Sequence, residues 1–216
     1  MYTSTGSMYT FSTMDSTRAT DGKSLRARGL GAFFRPVDDD AVGISEPAIR
    51  VLLRRGVVER VSRGLYRIVG SDASQHYSLA GVCARVPRGV LCLLTALQYH
   101  GIGTRVSPEI WLGIPHGQRA ARIELARVRF VRFSGVFLTE GIDEIRVEGV
   151  AARITNPART VIDCLRLSRL IDRETALEAM RETLRSRTVT SNSLQRMARA
   201  CGVFDRVRTA LEVLGA

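Results

Sequence analysis

Hydrophobic and polar positions follow a helical period and then a strand period in the first half of the 216-residue chain. After Ser45, a preferred helix-capping residue, and Pro47, which suits a first helical turn, apolar residues recur at helical spacing. Gly56 stops this pattern, and two short β-prone segments flank an Arg63-Gly64 turn. The pattern predicts a helix followed by a β-hairpin.

The segment before this helix predicts a second, shorter helix. Pro36 opens an acidic helix over Val37–Val42, and Gly43 makes a tight turn into the next helix. In that next helix the face expected to pack inward is Ala48, Val51 and Leu52, and the outward stripe is Glu46, Arg50 and Arg54. We therefore expect a winged helix-turn-helix over residues 21–70.

Residues 75–216 alternate between helical and strand patterns, which predicts a mixed α+β domain with a helical tail. Helices are expected at 78–85, 90–100, 158–167, 173–187, 191–202 and 204–214, and strands at 109–114, 127–133, 145–147 and 150–154. Asn156-Pro157 is a strong helix start, because it joins a capping residue to proline at the first helical position. Half of residues 1–20 are Ser or Thr, so this segment is expected to be a disordered tail.

Charge narrows the choice of partner. The chain carries a net charge of +11, and Lys23 is its only lysine. Residues 45–70 hold six arginines against two glutamates, and residues 117–135 hold five arginines against one glutamate. A protein this basic usually binds a polyanion. The alternative is that a bias toward arginine in the genome produces the charge. No apolar run is long enough to span a membrane and no secretory signal is visible, so we expect a cytoplasmic protein.

The predicted helix and hairpin supply the candidate DNA contacts. Arg50 and Arg54 on the helix can pair with guanine, while Ser45 and Glu46 stand at its N-terminus, where phosphates bind favourably. In the hairpin, Arg63 and Arg67 are expected to contact phosphates or the minor groove. The alternative is a solvated basic face, or arginines paired with nearby carboxylates of the chain.

Other residues invite weaker interpretations. Arg127 and Arg129 share one face of a predicted strand and form a possible second basic patch, or are ordinary exposed arginines. His100 and the Arg159–Asp163 pair are better explained by helix-end and i, i+4 contacts than by catalysis. The cysteines are expected to be buried free thiols, and we predict no catalytic residue, metal or cofactor; these cysteines are Cys83, Cys92, Cys164 and Cys201.

The chain resembles the AbiEi family, the antitoxins and transcriptional regulators of type IV (AbiE) toxin–antitoxin systems. Four segments carry the resemblance: RRGVVERVSRGLYRI at 54–68, VLCLLTALQYHGIGT at 90–104, PEIWLGIP at 108–115 and NPARTVIDCLRL at 156–167. The resemblance implies a non-enzymatic repressor that binds repeats in its own promoter. It also implies autoregulation, a role in phage defence and an antitoxin domain that counters a nucleotidyltransferase-like toxin, with or without direct contact. The alternative is a winged-helix RNA-binding or nuclease-associated protein.

Overall fold

The computed structural model of the chain describes residues 21–27, 29–36, 44–71 and 76–215. They divide into an N-terminal unit, which ends at Ser71, and a C-terminal unit, which includes Gly31–Phe33 and continues from residue 76. The expected tail at 1–20, the helix at 37–42 and the Gly43 turn lie outside the described residues. The α+β class predicted from the sequence is confirmed.

The N-terminal unit contains a helix followed directly by a β-hairpin. Its elements are α1 (Gly22–Ala27), β1 (Phe33–Phe34, of which Phe34 belongs to this unit), α2 (Glu46–Arg54), β2 (Val58–Ser62) and β3 (Leu65–Ile68), and the sheet has the order β1-β3-β2. A small apolar core ties these elements together, formed by Leu25, Leu30, Phe34, Leu52, Val58 and Ile68. The hairpin is therefore anchored to α2 through buried residues at the start of β2 and the end of β3.

The C-terminal unit is built on one mixed sheet. Its strands are β4 (Val90–Leu91), β5 (Ile110–Pro115), β6 (Val128–Phe133), β7 (Ile142–Val147) and β8 (Val150–Thr155). Its helices are α3 (Tyr77–Arg85), α4 (Leu93–His100), α5 (Pro157–Arg166), α6 (Arg173–Arg185), α7 (Ser191–Ala200) and α8 (Phe204–Leu214), with a 3-10 helix at Gly135–Leu138. The strand order is β6-β5-β4-β8-β7.

The start of α4 departs from the sequence prediction. We expected one helix over 90–100, but Val90–Leu91 is the central strand, antiparallel to β5 and parallel to β8. Leu93 then begins the helix with a positive φ of 49°. A run of apolar residues is compatible with either a buried helix or a buried strand, so the period alone could not separate them.

Local capping explains where the helices of the tail begin. The Asn156 side chain accepts a hydrogen bond from the Arg159 amide at 2.9 Å, and Pro157 follows it, as the sequence predicts. Thr190 and Ser193 form a reciprocal capping box at the start of α7. The tail helices pack with α4 and one face of the sheet around a core that includes Trp111, Phe133 and Met180. Among the described residues, no helix combines the length and apolar character that crossing a membrane requires.

Candidate nucleic-acid interface

Helix α2 presents an exposed, charged stripe. Glu46, Arg50 and Arg54 are spaced by four residues, and all three are exposed. Arg50 Nη2 lies 3.5 Å from Glu46 Oε1, with exposed side-chain fractions of 70% and 80%. An ion pair this exposed contributes little stability, so it does not hold Arg50 firmly in place. Of the residues the structure describes, none places a carboxylate within ion-pair distance of Arg54.

The buried face of α2 differs from the prediction. Ile49 and Leu52 are buried, whereas Ala48 and Val51 are partly exposed. The predicted inward face of Ala48, Val51 and Leu52 is thus wrong in two of three positions. Successive helical residues are about 100° apart, so the predicted set, which shares Leu52 with the buried set, is centred to one side of the buried face and not opposite to it. The outward assignment of the arginines is unaffected.

Ser45 occupies the N-cap position of α2 without using its side chain as a cap. Its carbonyl accepts the Ile49 amide at 3.1 Å, but its hydroxyl accepts no capping hydrogen bond. The prediction that Ser45 is the N-cap residue is therefore confirmed, although the capping hydrogen bond of its side chain is not formed. The hydroxyl is exposed beside the first turn, where amide groups favour an anion.

The β2–β3 hairpin presents its turn to solvent. Ser62 pairs with Leu65, so the connection is a two-residue turn of Arg63 and Gly64. Gly64 has a φ of +69°, a conformation that glycine adopts without the steric cost of a side chain. Arg63 is exposed. The Arg60 side chain is also exposed, and the sequence reasoning did not single it out as a contact.

Arg67 has a different environment from Arg63. It lies opposite Glu59 in the strand register, and Arg67 Nη2 is 2.5 Å from Glu59 Oε1. About a third of the Arg67 side chain is exposed, at 32%. This cross-strand pair matches the alternative in which arginines are paired with nearby glutamates. Arg67 is consequently a weaker candidate for DNA contact than Arg63.

Arg35 is a basic residue near the turn that sequence reasoning missed. A β-carbon built on Gly64 would lie 3.7 Å from Arg35 Nη1, so the guanidinium group reaches the hairpin turn. Arg35 follows β1, which pairs with β3 in the three-stranded sheet. The proximity depends on that strand order, and no spacing in the sequence signals it.

The possible second basic patch lies at the edge strand β6 of the C-terminal unit. Arg127 immediately precedes β6, and Arg129 lies within it; both are exposed. Arg129 Nη1 is 3.8 Å from Glu109 Oε2, and its guanidinium carbon is 4.4 Å from the centre of the Trp111 ring. These contacts give Arg129 a structural role in addition to any binding role.

The residues that resembled catalytic groups are held in structural contacts. Arg159 and Asp163 are fully buried, and Arg159 Nε donates to Asp163 Oδ2 at 3.0 Å. The i, i+4 ion pair expected from the sequence is therefore present. His100 Nε2 lies 2.8 Å from the Thr155 carbonyl oxygen, not against the last carbonyls of its own helix as expected.

The cysteines are free and buried, as the sequence indicates. Burial raises the pKa of the Cys83 thiol to about 12, so this group stays neutral near pH 7. Within the described ranges, no three His, Cys, Asp or Glu residues come together in a group suited to a metal ion.

Comparison with known proteins supports the resemblance over the candidate interface. Residues 25–69 match the sequence model of a family described as "Transcriptional regulator, AbiEi antitoxin". The suspected AbiEi family is confirmed for this segment, which includes α2, both hairpin strands and Arg35. The motifs at 90–104, 108–115 and 156–167 lie outside the matched residues.

Comparisons of the whole chain with curated proteins and with solved structures do not identify a family. No curated protein matches the chain. Three chains of known structure match, among them the RV2827C protein from Mycobacterium tuberculosis, at 14% identity with a TM-score of 0.47. That match covers 84% of this chain and 76% of the other.

Proposed function

We propose that this protein is an antitoxin and transcriptional repressor that binds repeats in its own promoter through residues 21–70. The observation that carries the proposal is the combination of α2 and the hairpin, with exposed Arg50, Arg54 and Arg63, inside the segment that matches the antitoxin-regulator family. α2 is the recognition helix in the major groove, and the hairpin is the wing along the phosphates. Residues 75–216 form the antitoxin domain.

Within this proposal the contacts divide into two kinds. Arg50 and Arg54 read bases, because a guanidinium group can pair with two acceptors of guanine at once. Ser45 and Glu46 lie at the helix N-terminus, where Ser45 contacts a phosphate. Arg63 contacts the backbone and carries no base preference. Arg67 supports the hairpin through Glu59 and contributes to the local positive charge.

The biological role follows from the same assignment. Binding to promoter repeats represses the operon. The protein also counters a nucleotidyltransferase-like toxin, and it does so without catalysis. It acts in the cytoplasm, as part of a system for phage defence. The patch of Arg127 and Arg129 belongs to the antitoxin domain and adds a second contact with nucleic acid.

The DNA-binding proposal is tested by fluorescence anisotropy with three labelled probes: the chain's own upstream DNA, a shuffled duplex of the same composition, and tRNA. We expect the upstream DNA to bind tightest, by roughly a thousandfold or more over the shuffled duplex. Equal affinity for both duplexes would contradict operator recognition, and tighter binding of tRNA would favour the RNA-binding alternative.

The antitoxin proposal needs a separate experiment. The toxin reading frame adjacent to this one is expressed with the intact protein, with an Arg54→Ala/Arg63→Ala variant or with an empty vector, and cell growth is measured. We expect both protein forms to restore growth, because neutralisation is assigned to residues 75–216. If the intact protein does not restore growth, the antitoxin proposal is contradicted, and the result of the DNA-binding experiment is unaffected.

A further inference from the structure

A groove lies in the C-terminal unit between α6 and α8, above the end of α5. Its volume is about 460 Å³. Pockets that take small molecules are commonly about 300–1,000 Å³ and combine an apolar lining with a few polar groups. The groove has the size of a small-molecule site, and its lining includes none of the residues assigned to nucleic acid.

The floor of the groove is apolar. Its buried part is formed by Cys164, Ile171, Ala176 and Ala210, and Leu165 and Leu177 extend it toward the opening. Burial raises the pKa of the Cys164 thiol, so the floor carries no thiolate charge. The hydrophobic effect favours the transfer of an apolar group from water to this floor.

The rim of the groove is cationic. Arg173 and Arg206 line it from the first turns of α6 and α8, and both are exposed. Arg206 Nη1 donates to the Arg166 carbonyl oxygen at 3.0 Å, which fixes one side of its guanidinium group and leaves the other donors available. Asp205 is the acidic residue of the lining, and its Oδ1 lies 4.0 Å from Arg208 Nη2, so its charge is partly offset.

We infer that this groove binds a small amphipathic anion, with an apolar body on the floor and a carboxylate or similar head group between Arg173 and Arg206. Ser168 lines the same opening and its hydroxyl group supplies a further polar contact, whereas the Thr209 hydroxyl group donates to the Asp205 carbonyl oxygen at 3.0 Å. Guanidinium groups pair with carboxylates through charge-assisted hydrogen bonds, which are stronger than neutral ones. A neutral apolar molecule of equal length lacks that contact, so charge decides the preference.

The test uses the intact chain in isothermal titration calorimetry with octanoate and, as the neutral match, 1-octanol. We expect one octanoate per chain and at least about tenfold weaker binding of octanol, since a hydrogen bond to a charged group is worth about 1.5–3 kcal/mol. The intact protein needs no DNA for this measurement, so the result is independent of the proposed repressor function.

Two kinds of variant locate the site. Arg173→Gln and Arg206→Gln should each weaken the binding of octanoate about tenfold and leave the binding of octanol unchanged. Thr209→Phe places a ring at the exposed mouth of the groove and should abolish both. The matched controls are Arg185→Gln and Val213→Phe, which change exposed residues of α6 and α8 outside the lining. Circular dichroism checks that each variant is folded.

Three outcomes would overturn the inference. Equal binding of octanoate and octanol would remove the role of the arginines. Unchanged octanoate binding by folded Thr209→Phe would place the ligand elsewhere. No octanoate binding by the intact chain would show that the groove is not a site for amphipathic anions.

Discussion

Two helices of the chain, α2 and α5, use arginine in opposite ways. On α2, Arg50 and Arg54 are exposed, and the one described ion pair among them, to Glu46, is itself exposed. In the C-terminal unit, Arg159 is fully buried and has hydrogen-bond partners for every guanidinium nitrogen. The net charge therefore says little about function until each arginine is assigned to solvent or to a partner. Only the exposed arginine side chains are available to bind a polyanion.

The buried arrangement is a network around α5. Arg159 donates to Asp163 and to the Phe137 and Glu140 carbonyl oxygens, so it satisfies one carbonyl group within the 3-10 helix and one just after it. Arg166 pairs with the other oxygen of Asp163, at 3.1 Å. A buried charge is tolerated when it is paired and fully hydrogen-bonded, and removing one partner is then costly.

The largest effect should come from breaking this network. Asp163→Asn leaves Arg159 buried without its counter-charge, and we expect a loss of about 3–5 kcal/mol in the free energy of unfolding of the C-terminal unit. Trp111 is the only tryptophan of the chain and lies in the core of that unit, so its fluorescence during urea denaturation reports the change.

The matched control for that experiment is Asp205→Asn. Asp205 also pairs with an arginine on its own helix, but its side chain is 91% exposed. We expect less than about 1 kcal/mol for this change. Similar losses for the two variants would show that burial does not distinguish the arginines, and the comparison between buried and exposed arginines would fail.

The next largest effect concerns recognition. Arg50→Ala should cost about 1–3 kcal/mol of binding to upstream DNA and relax the base preference at one position. The control is Arg208→Ala, because Arg208 is also exposed on a helix and pairs with a glutamate four residues away. Anisotropy titrations on the upstream duplex and on single-base variants measure both quantities. An equal loss on upstream and shuffled DNA would argue against base reading by Arg50.

Much of the fold could be predicted from local signals. The hairpin followed from its composition and the Arg63-Gly64 turn, and α5 followed from Asn156 and Pro157. These features are determined by residues close in sequence, so a pattern is enough to find them. The same holds for the Arg159–Asp163 pair, whose members are one helical turn apart.

What could not be predicted depends on tertiary placement. Val90–Leu91 is a strand because β5 and β8 flank it, and its apolar residues gave no sign of that. The reach of Arg35 to the hairpin turn requires the strand order of the sheet. The groove between α6 and α8 exists only once both helices pack against α5. Long-range packing of this kind leaves no periodic trace in the sequence.

A smaller effect is expected at Asp172, an exposed carboxylate held by local hydrogen bonds. The Thr175 amide and hydroxyl groups donate to it at 2.8 and 2.9 Å, and this hydrogen bonding lowers the pKa of Asp172. Asp172→Ala removes the cap of α6 and should cost about 0.5–2 kcal/mol near pH 7. Urea denaturation followed by Trp111 fluorescence measures the change.

The pH dependence of that effect has a definite sign. Because the pKa of Asp172 is lower in the folded chain than in the unfolded chain, ionised Asp172 stabilises the fold above the unfolded pKa. This contribution is lost as the pH falls below about 4. The difference in unfolding free energy between the intact protein and Asp172→Ala should shrink over that range. A difference that stays constant would mean that the charge of Asp172 does not act through the helix cap.

The smallest effect, and the one that most sharpens the division among exposed arginines, is expected at the turn of the hairpin. Arg63→Ala should lower the affinity for the upstream duplex and for the shuffled duplex by the same factor, because a phosphate contact carries no base information. The slope of log affinity against log salt concentration should fall by about 1, the value for one lost phosphate contact. Affinity measured at several salt concentrations tests this, with Arg67→Ala as the comparison. Arg67 is paired with Glu59. A smaller change in the salt slope for Arg67→Ala than for Arg63→Ala would show that this ion pair keeps Arg67 from contacting a phosphate. A larger change for Arg67 than for Arg63 would reverse the assignment and make the paired arginine the phosphate contact.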